Sequence, residues 1–263
     1  VYEDTHEEKV LHLMKIKKID KIPILNKDKQ IKGLFYFDIE NFRKTLKNSF
    51  VIMAGGKGMR LRPLTKKTPK AMIIHNGKPM IENLIIKAKK EGFRNFIISI
   101  NYLGDKIKKY FKNGSDLGVS IKYLEEPKPL GTAGSLSMLH NKINEPFILT
   151  NCDIITNTDY TKMLDFHKKN RANITIAAAL DYTQNQYGIV KTKKIRVLSL
   201  EEKPVERKQI IAGIYVISPR ALTKVKKNEY YDMPDLLEKA LVDKMKVIAY
   251  PIHESWQDIG QSK

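Results

Sequence analysis

The sequence predicts an α/β protein whose main domain is a doubly wound, mixed sheet, preceded by a small α+β module. From residue 50 onwards, short apolar runs alternate with amphipathic stretches that fit helices. Loops rich in glycine or proline follow several of these runs, as ligand-binding loops follow the strands of open α/β sheets. After residue 185 the apolar runs shorten, which favours an antiparallel extension of the sheet.

Composition and charge are those of an ordinary folded protein. The chain has 263 residues, 42% of them hydrophobic, and no apolar run approaches the roughly 20 residues that span a bilayer. The net charge of +19 comes mainly from lysines dispersed along the chain, which indicates a solvated surface. We therefore expect no nucleic acid and no membrane as partner. The single cysteine, Cys152, excludes an internal disulfide and, without a secretory signal, predicts a cytoplasmic protein.

Residues 1–47 read as a separate module. Its predicted elements are a helix over Glu7–Lys15, strands over Lys21–Leu25 and Ile31–Phe35 joined by a polar turn, and a closing helix over Asp38–Leu46. This order, with the segment IPILNKDKQIKGLF at its centre, resembles a CBS motif. That resemblance implies an adenine nucleotide as ligand and a second copy of the motif as partner. A plain docking or dimerisation module is the alternative.

The main domain, residues 48–263, begins with an unbroken apolar run, Phe50–Ala54, which predicts a buried strand. A proline in the first turn predicts that a helix starts at 77–79, and Gly92 predicts its end. The same patterns predict the rest: strands Asn95–Ile100, Ser120–Tyr123, Phe147–Thr150, Ile174–Ala179, Ile189–Thr192, Val197–Leu200, Ile214–Ile217 and Val247–Pro251, and helices Leu103–Phe111, Thr132–His140, Thr158–Asn170 and Pro234–Val242.

The segment FVIMAGGKGMRLRPLTKKTPK, residues 50–70, is the most informative part of the chain. Glycines directly after a strand let the backbone approach a ligand and present N–H groups to it. Arg60 and Lys70 would add positive charge over the same space. The pattern indicates a phosphate chain, most economically the triphosphate of a nucleotide. It is neither the GxxxxGK[ST] loop, since Gly58 follows Lys57, nor the GxGxxG fingerprint.

Two further loops follow predicted strands and are expected at the same edge of the sheet. The segment EEPKPLGTAG, residues 125–134, offers glycines that allow close packing against a planar base, and a helix start with free N–H groups. Asp153 follows the strand over Phe147–Thr150. A carboxylate that faces a triphosphate indicates an intervening cation, and Mg²⁺ takes one or two carboxylates plus phosphate oxygens. Asp258 in WQDIG is the second candidate ligand.

The string GGKGMRLRPLT…PK resembles the signature of the sugar-phosphate nucleotidylyltransferases, GGxGTRLxPLTxxxPK, with Met59 where that family has threonine. The resemblance extends over residues 50–260 and implies a Rossmann-like, GT-A-like fold. The implied catalytic residues are Arg60, Lys70, Asp153 and Lys203, and the implied magnesium ligands are Asp153 and Asp258. The implied nucleotide-binding residues are Ala54, Gly55, Gly56, Gly58, Met59, Glu126, Gly131, Thr132 and Ala133; those for the sugar phosphate are Tyr187, Gly188, Glu202, Lys203 and Gly213.

The resemblance also implies a reaction, in which Mg²⁺-dependent transfer of a nucleotidyl group from an NTP to a sugar 1-phosphate releases pyrophosphate. EEPKPLGTAGSL and the CBS-like module look most like bacterial guanylyltransferases of nonulosonic, or legionaminic, acid pathways. GTP with glucosamine or N-acetylglucosamine 1-phosphate is therefore the first expectation. Mannose 1-phosphate with GTP comes next, then glucose 1-phosphate with UTP or dTTP. A non-catalytic nucleotide-sensing regulator is the alternative of another class, and a homo-oligomer is expected.

Overall fold

The computed structural model describes residues 1–17, 19–36 and 45–261 of the chain. Its α-helices are α1 (Glu7–Lys17), α2 (Met80–Lys90), α3 (Gly104–Phe111), α4 (Tyr160–Lys169), α5 (Pro219–Leu222) and α6 (Met233–Val242). Its strands are β1 (Lys21–Leu25), β2 (Ile31–Tyr36), β3 (Leu46–Met53), β4 (Ile74–His75), β5 (Lys78–Pro79), β6 (Phe93–Ile100), β7 (Ser120–Glu125), β8 (Phe147–Asn151), β9 (Ile154–Thr156), β10 (Ile174–Gln184), β11 (Ile189–Lys193), β12 (Arg196–Glu201), β13 (Val205–Ile217), β14 (Val247–Pro251) and β15 (Trp256–Asp258).

A mixed sheet of seven strands, in the order β14-β10-β13-β8-β3-β6-β7, forms the centre of the described chain. β3 runs parallel to β6 and β8, and β13 runs antiparallel to both of its neighbours. Side chains alternate between the two faces, so Phe50 and Ile52 of β3 enter one core cluster and Val51 and Met53 the other. Helices α2, α3 and α4 cover the first face and α5 and α6 the second. The α/β class with a mixed central sheet is confirmed.

The antiparallel part of the sheet is longer than predicted. The β10–β13 ladder continues to the pair Gln184 and Val205, whereas the sequence predicts an end at Ala179 and a start at Ile214. Polar and charged residues interrupt the apolar pattern there, but strand pairing uses backbone hydrogen bonds and does not require apolar side chains. The far half of this ladder and the β11–β12 hairpin are largely solvent-exposed. They form the predicted antiparallel extension, which lies outside the hydrophobic core.

Two predicted helices differ from the structure. The segment predicted as a helix over Thr132–His140 is a turn followed by a 3₁₀ helix over Gly134–Leu139. The N–H groups that would begin an α-helix there bond instead to residues ahead of α6, as described below. The predicted helix start at 77–79 lies in the small β4–β5 hairpin, and α2 begins at Met80. Asn76 and Gly77 have positive φ angles of 52° and 78°, so the chain turns before the helix starts.

The N-terminal module has the predicted helix and two strands. Val10, Met14 and Ile22 form a small buried cluster of their own. The predicted closing helix over Asp38–Leu46 falls almost entirely on residues outside the described ranges, and its last residue begins β3. The CBS resemblance and the boundary at residue 47 stay predictions. Within the described ranges no helix is both long and apolar enough to cross a membrane.

Candidate active site

The glycine loop leaves the carboxyl end of β3 and is shaped by close contacts. The N–H of Ala54 donates to the carbonyl oxygen of Ser99 on β6 (2.8 Å), which continues the parallel ladder by one bond. A Cβ atom on Gly55 would lie 2.9 Å from Glu126 Oε1. Gly58 has a φ of 59°, and a Cβ atom there would lie 2.8 Å from the Thr65 methyl carbon. These positions therefore require glycine, both for space and, at Gly58, for the backbone angle.

A cavity of about 510 Å³ opens beside this loop, at the carboxyl ends of β3, β6, β7 and β8. This is the edge of the sheet at which α/β folds bind ligands. The predicted site residues that line it are Gly55, Gly56, Lys70, Glu126, Gly131, Thr132 and Asp153.

The charged cluster at one end of the cavity joins distant parts of the chain. Lys70 Nζ forms an ion pair with Asp153 Oδ2. β15 pairs antiparallel with β9, which places Asp258 opposite Ile154 and next to Asp153. Burial, followed by the neighbouring negative charge of Asp153, raises the pKa of Asp258. The two carboxyl groups predicted as metal ligands are thus adjacent, and that of Asp153 is paired with Lys70.

The carboxylate pair fits a bound Mg²⁺. A Cβ atom on Gly260 would lie closest to Lys70 Nζ, then 2.8 Å from Asp153 Oδ2 and 3.0 Å from Asp258 Oδ1, so the space beside the two carboxylates already holds a cation, the Lys70 ammonium. Carboxylate oxygens are the ligands that Mg²⁺ prefers, and it commonly binds one or two of them together with substrate phosphates. Among the described residues no cluster of three or more histidine, cysteine or acidic side chains could hold a metal. Substrate oxygens and water would therefore complete the coordination.

Four predicted residues of the glycine loop, one of them Gly58, lie apart from the cavity lining. Ala54 is buried in the core. Met59 and Arg60 are exposed and belong to a short 3₁₀ helix, Met59–Leu61, which lies beside the 3₁₀ helix Ile259–Gln261. The Arg60 guanidinium has no ion pair with another described residue. It is consequently free to turn towards a ligand above the cavity.

The residues predicted for the sugar phosphate divide into two groups. Gly213 has a φ of 73°, and a Cβ atom there would lie 3.0 Å from Nδ2 of Asn151, so it packs against the cavity wall. The other four flank the exposed β11–β12 hairpin and do not line the cavity. Among them, Gly188 lies against Glu202, whose Oε2 would be 2.9 Å from an added Cβ. The structure gathers these four with one another but not with the residues predicted to bind the triphosphate; they are Tyr187, Gly188, Glu202 and Lys203.

Glu126 is buried and organises the loop that follows β7. The Ser99 hydroxyl donates to Oε1 (2.7 Å) and the N–H of Leu130 donates to Oε2 (3.1 Å). Burial raises the pKa of Glu126. Glu126 thus contacts both the glycine loop, where the phosphates are predicted to bind, and residues 130–134, where the base is predicted to bind.

The expectation of free N–H groups at the start of a helix in this loop is wrong. The N–H of Thr132 donates to Asp232 Oδ1 (2.9 Å), and those of Ala133 and Gly134 donate to the carbonyl oxygen of Tyr231 (2.9 and 3.2 Å). The segment before α6 therefore occupies the donors that the sequence suggested for a ligand.

The cavity residues that were not predicted as binding residues include Asn101, Asn151, Tyr230 and Asp232. The first two lie at the carboxyl ends of β6 and β8, so the rule that ligands bind beyond strand ends would have found them. The other two precede α6, far along the chain from the loop that they face. No local pattern in the sequence indicates that contact.

Comparison with known proteins decides the family. Residues 49–263 match the model of the nucleotidyl transferase family, NTP_transferase. The chain belongs to this family. The mannose-1-phosphate guanyltransferase of Yarrowia lipolytica is 31% identical to it over 228 residues, 81% of this chain and 61% of that protein. The mannose-1-phosphate guanylyltransferase of Mycobacterium tuberculosis is 31% identical over 216 residues, 80% of this chain and 60% of that protein.

The chain spans about three fifths of the length of the curated relatives that it matches. Among solved structures, HddC from Yersinia pseudotuberculosis, complexed with GMP-PN, superposes with a TM-score of 0.62 at 23% identity. The match covers 81% of this chain and 94% of HddC. It shows that the two proteins share a fold.

The site of this nucleotidyl transferase family member lacks an activated thiol nucleophile. Cys152 lines the cavity, but burial and the charge of Asp153 raise its pKa to about 12, so the thiol stays protonated at neutral pH. The cavity instead combines Lys70, the Asp153 carboxylate and the glycine loop, with Asp258 adjacent to Asp153. Such a set can bind and orient phosphate groups, and the attacking group would come with a substrate.

Proposed function

We propose that this chain transfers a nucleotidyl group from an NTP to a sugar 1-phosphate and releases pyrophosphate, with GTP as the preferred donor. The observation that carries the proposal is the cluster of Lys70, Asp153 and Asp258 at the end of a cavity bounded by the glycine loop. Membership of the nucleotidyl transferase family supports it. The relatives described above are guanylyltransferases, which favours GTP over other nucleotides.

The triphosphate is proposed to lie along the glycine loop. Gly56 faces open space, with no atom within 4 Å of an added Cβ, and Lys57 lines the same cavity with an exposed side chain. The exposed guanidinium of Arg60 is proposed to close over the phosphates and to stabilise the leaving pyrophosphate. Nucleotide binding would thus use backbone N–H groups and two cationic side chains, as phosphate sites commonly do.

Asp153 and Asp258 are proposed to hold Mg²⁺, which when bound supplies positive charge that neutralises phosphate oxygens. In the free chain Lys70 neutralises Asp153, and its side chain retains 20% exposure. A lysine in this position can turn to the α-phosphate and to the attacking sugar phosphate. Repulsion between the two anionic substrates is the main electrostatic obstacle to the transfer, and the positive charge of Lys70 would reduce it.

The sugar phosphate is proposed to bind between the cavity and the β11–β12 hairpin. Gly213 is at the cavity wall, while Tyr187, Gly188, Glu202 and Lys203 lie at the base of the hairpin. Lys203 would pair with the sugar's phosphate and Glu202 would accept hydrogen bonds from its hydroxyl groups. The names of the relatives support mannose 1-phosphate as the first acceptor to test. Glucosamine and N-acetylglucosamine 1-phosphates remain the acceptors that the CBS-like module favours.

Pyrophosphate release tests the proposal. The panel combines Mg²⁺ with GTP, UTP, dTTP, CTP or ATP, and with mannose, glucose, glucosamine or N-acetylglucosamine 1-phosphate. We expect release with GTP and one acceptor, and its loss with EDTA or in Asp153→Asn. Asp165→Asn, an exposed position on α4, is the matched control and should keep the rate. Silence across the panel from a folded sample would overturn the proposal and favour a nucleotide-sensing regulator.

A further inference from the structure

One carboxylate joins two walls of the cavity. Asp232 Oδ1 accepts hydrogen bonds from the N–H (2.9 Å) and the hydroxyl (3.1 Å) of Thr132. Its other oxygen, Oδ2, accepts the hydroxyl of Tyr230 (2.9 Å). All three residues line the cavity. Asp232 therefore fixes the distance between the loop that follows β7 and the segment that precedes α6.

The surrounding backbone supports the same junction. The N–H of Met233 donates to the Thr132 hydroxyl oxygen (2.8 Å), so hydrogen bonds run between the two segments in both directions. The N–H of Tyr231 donates to the carbonyl oxygen of Leu130 (3.0 Å). A Cβ atom on Gly131 would lie 2.9 Å from Asp232 Oδ1, so a side chain at this position would push the two segments apart.

This junction determines which groups a ligand meets. Between residues 130 and 134, the N–H of Gly131 has no hydrogen-bond partner among the described residues, while the other four backbone N–H groups are occupied. Gly131 lines the cavity, and so does Glu126, whose carboxylate is oriented by Ser99 and Leu130. One backbone donor and one oriented acceptor are thus presented at a fixed spacing, which suits the edge of a nucleobase.

We propose that Asp232 is a positioning residue that sets the base selectivity of this site, by holding Thr132 with one oxygen and Tyr230 with the other. The inference rests on the proposed nucleotidyl transfer. Tyr230, which lines the cavity with an exposed side chain, forms the facing wall. Although burial opposes its charge, the hydrogen bonds from Thr132 and Tyr230 hold the pKa of Asp232 below its usual value. At neutral pH Asp232 is therefore an ionised acceptor for both partners.

Asp232 also precedes α6, so a structural role has to be separated from a positioning role. Asp232 and Asp235 form a capping box: the Asp232 side chain accepts the N–H of Asp235, and the N–H of Asp232 donates to Asp235 Oδ2 (2.8 Å), contacts that belong to the helix start and not to the cavity. Asp235→Asn is therefore the matched control, since it weakens the helix start and leaves both walls in place. Tyr230→Phe removes only the hydroxyl that meets Asp232, and Asp232→Asn keeps the size of the side chain.

The experiment measures kcat and KM for GTP and for the second-best nucleotide at saturating sugar phosphate, with dissociation constants for both nucleotides by calorimetry. We expect Asp232→Asn to raise KM for GTP by about tenfold, the loss of one charged hydrogen bond, and to reduce the preference for GTP by a similar factor. Tyr230→Phe should change both values in the same direction but less. KM for the sugar phosphate should stay constant, and Asp235→Asn should lower only Tm.

An unchanged GTP preference in a folded Asp232→Asn, or an equal change in Asp235→Asn, would overturn the inference. If the unmodified protein released no pyrophosphate with any substrate pair, the proposed function would be wrong, whatever the role of Asp232. The calorimetric preference for GTP over the second nucleotide, compared between the unmodified protein and Asp232→Asn, would still decide the role of Asp232.

Discussion

Gly260 lies so close to Asp153 that a Cβ atom on the glycine would be 2.8 Å from the Asp153 Oδ2 oxygen. The same atom would be 3.0 Å from Asp258 Oδ1. The N–H of Gly260 donates to that second oxygen (2.7 Å), which holds the glycine in place. The atom nearest to that Cβ position is Lys70 Nζ, so the absence of a side chain at residue 260 leaves room for a cation beside the two carboxylates.

Gly260→Ala should weaken metal binding because the new methyl group enters that space. We expect the dissociation constant for Mn²⁺, used as a spectroscopic substitute for Mg²⁺, to rise on the order of tenfold. Electron paramagnetic resonance of free Mn²⁺ with a non-hydrolysable GTP analogue measures it. Gly33→Ala is the control, since nothing lies within 4 Å of a Cβ atom there. Equal Mn²⁺ affinity in the two variants would contradict the assignment of this space to a metal.

Lys70→Met should reduce kcat/KM by roughly 10²–10³-fold, the usual effect of removing a charged donor that stabilises a transition state. The physical reason is that Lys70 is the cation in direct contact with Asp153 at the cavity. Steady-state pyrophosphate release provides the measurement. Lys66→Met, which removes an exposed lysine of the same loop outside the cavity lining, should leave the rate within a factor of about two, the range usual for surface positions. Near-normal turnover in Lys70→Met would remove this residue from the mechanism.

His167 should make stability depend on pH. It is buried and bonded to the hydroxyls of Thr175 (2.8 Å) and Ser218 (2.8 Å), and burial lowers its pKa to about 4. The unfolded chain, with an ordinary histidine pKa near 6.5, binds the proton more readily below that pH. Stability is therefore fully present above pH 6.5 and is lost as the pH falls towards 4, by at most about 1.4 kcal/mol per pH unit.

Urea unfolding of the unmodified protein and of His167→Gln across this pH range measures the histidine contribution as the difference in slope. We expect the slope to be smaller in the variant, because glutamine does not titrate. Parallel slopes would mean that His167 is protonated in the folded state.

Tyr160→Phe should raise the free energy of unfolding by about 1 kcal/mol. The Tyr160 hydroxyl is buried and has no hydrogen-bond partner among the described residues, while its ring packs against Phe50 at 5.0 Å between centroids. Phenylalanine keeps the ring contacts and removes the desolvated hydroxyl. Denaturant unfolding at neutral pH checks the prediction, and a clear loss of stability would show that the hydroxyl has a partner, such as an ordered water.

The strands and helices of the sheet were predictable because their signals are local. The unbroken apolar run over Phe50–Ala54 predicts a buried strand, and the apolar residues at helical spacing in α2 predict the face that it buries; they are Ile81, Leu84, Ile85 and Ala88. The strained glycines are also local signals, since Gly58 has a positive φ and lies against Thr65 only a few residues away. The predicted end of β10 is too early because polar residues continue the strand beyond Ala179.

Contacts between distant segments decided the features of the site that the sequence did not predict. The sequence by itself determined the α/β class, and it predicted a glycine loop suited to phosphate, a lysine and two carboxylates that suit a metal. Only the tertiary structure decided that Asp153 and Asp258 are adjacent, because the β9–β15 pairing brings them together. It likewise decided that Asp232 occupies the donor of Thr132, which no local pattern indicates. Helices, strands and glycine turns are set by neighbouring residues and can be predicted locally. The pairing of remote segments depends on how the whole core packs.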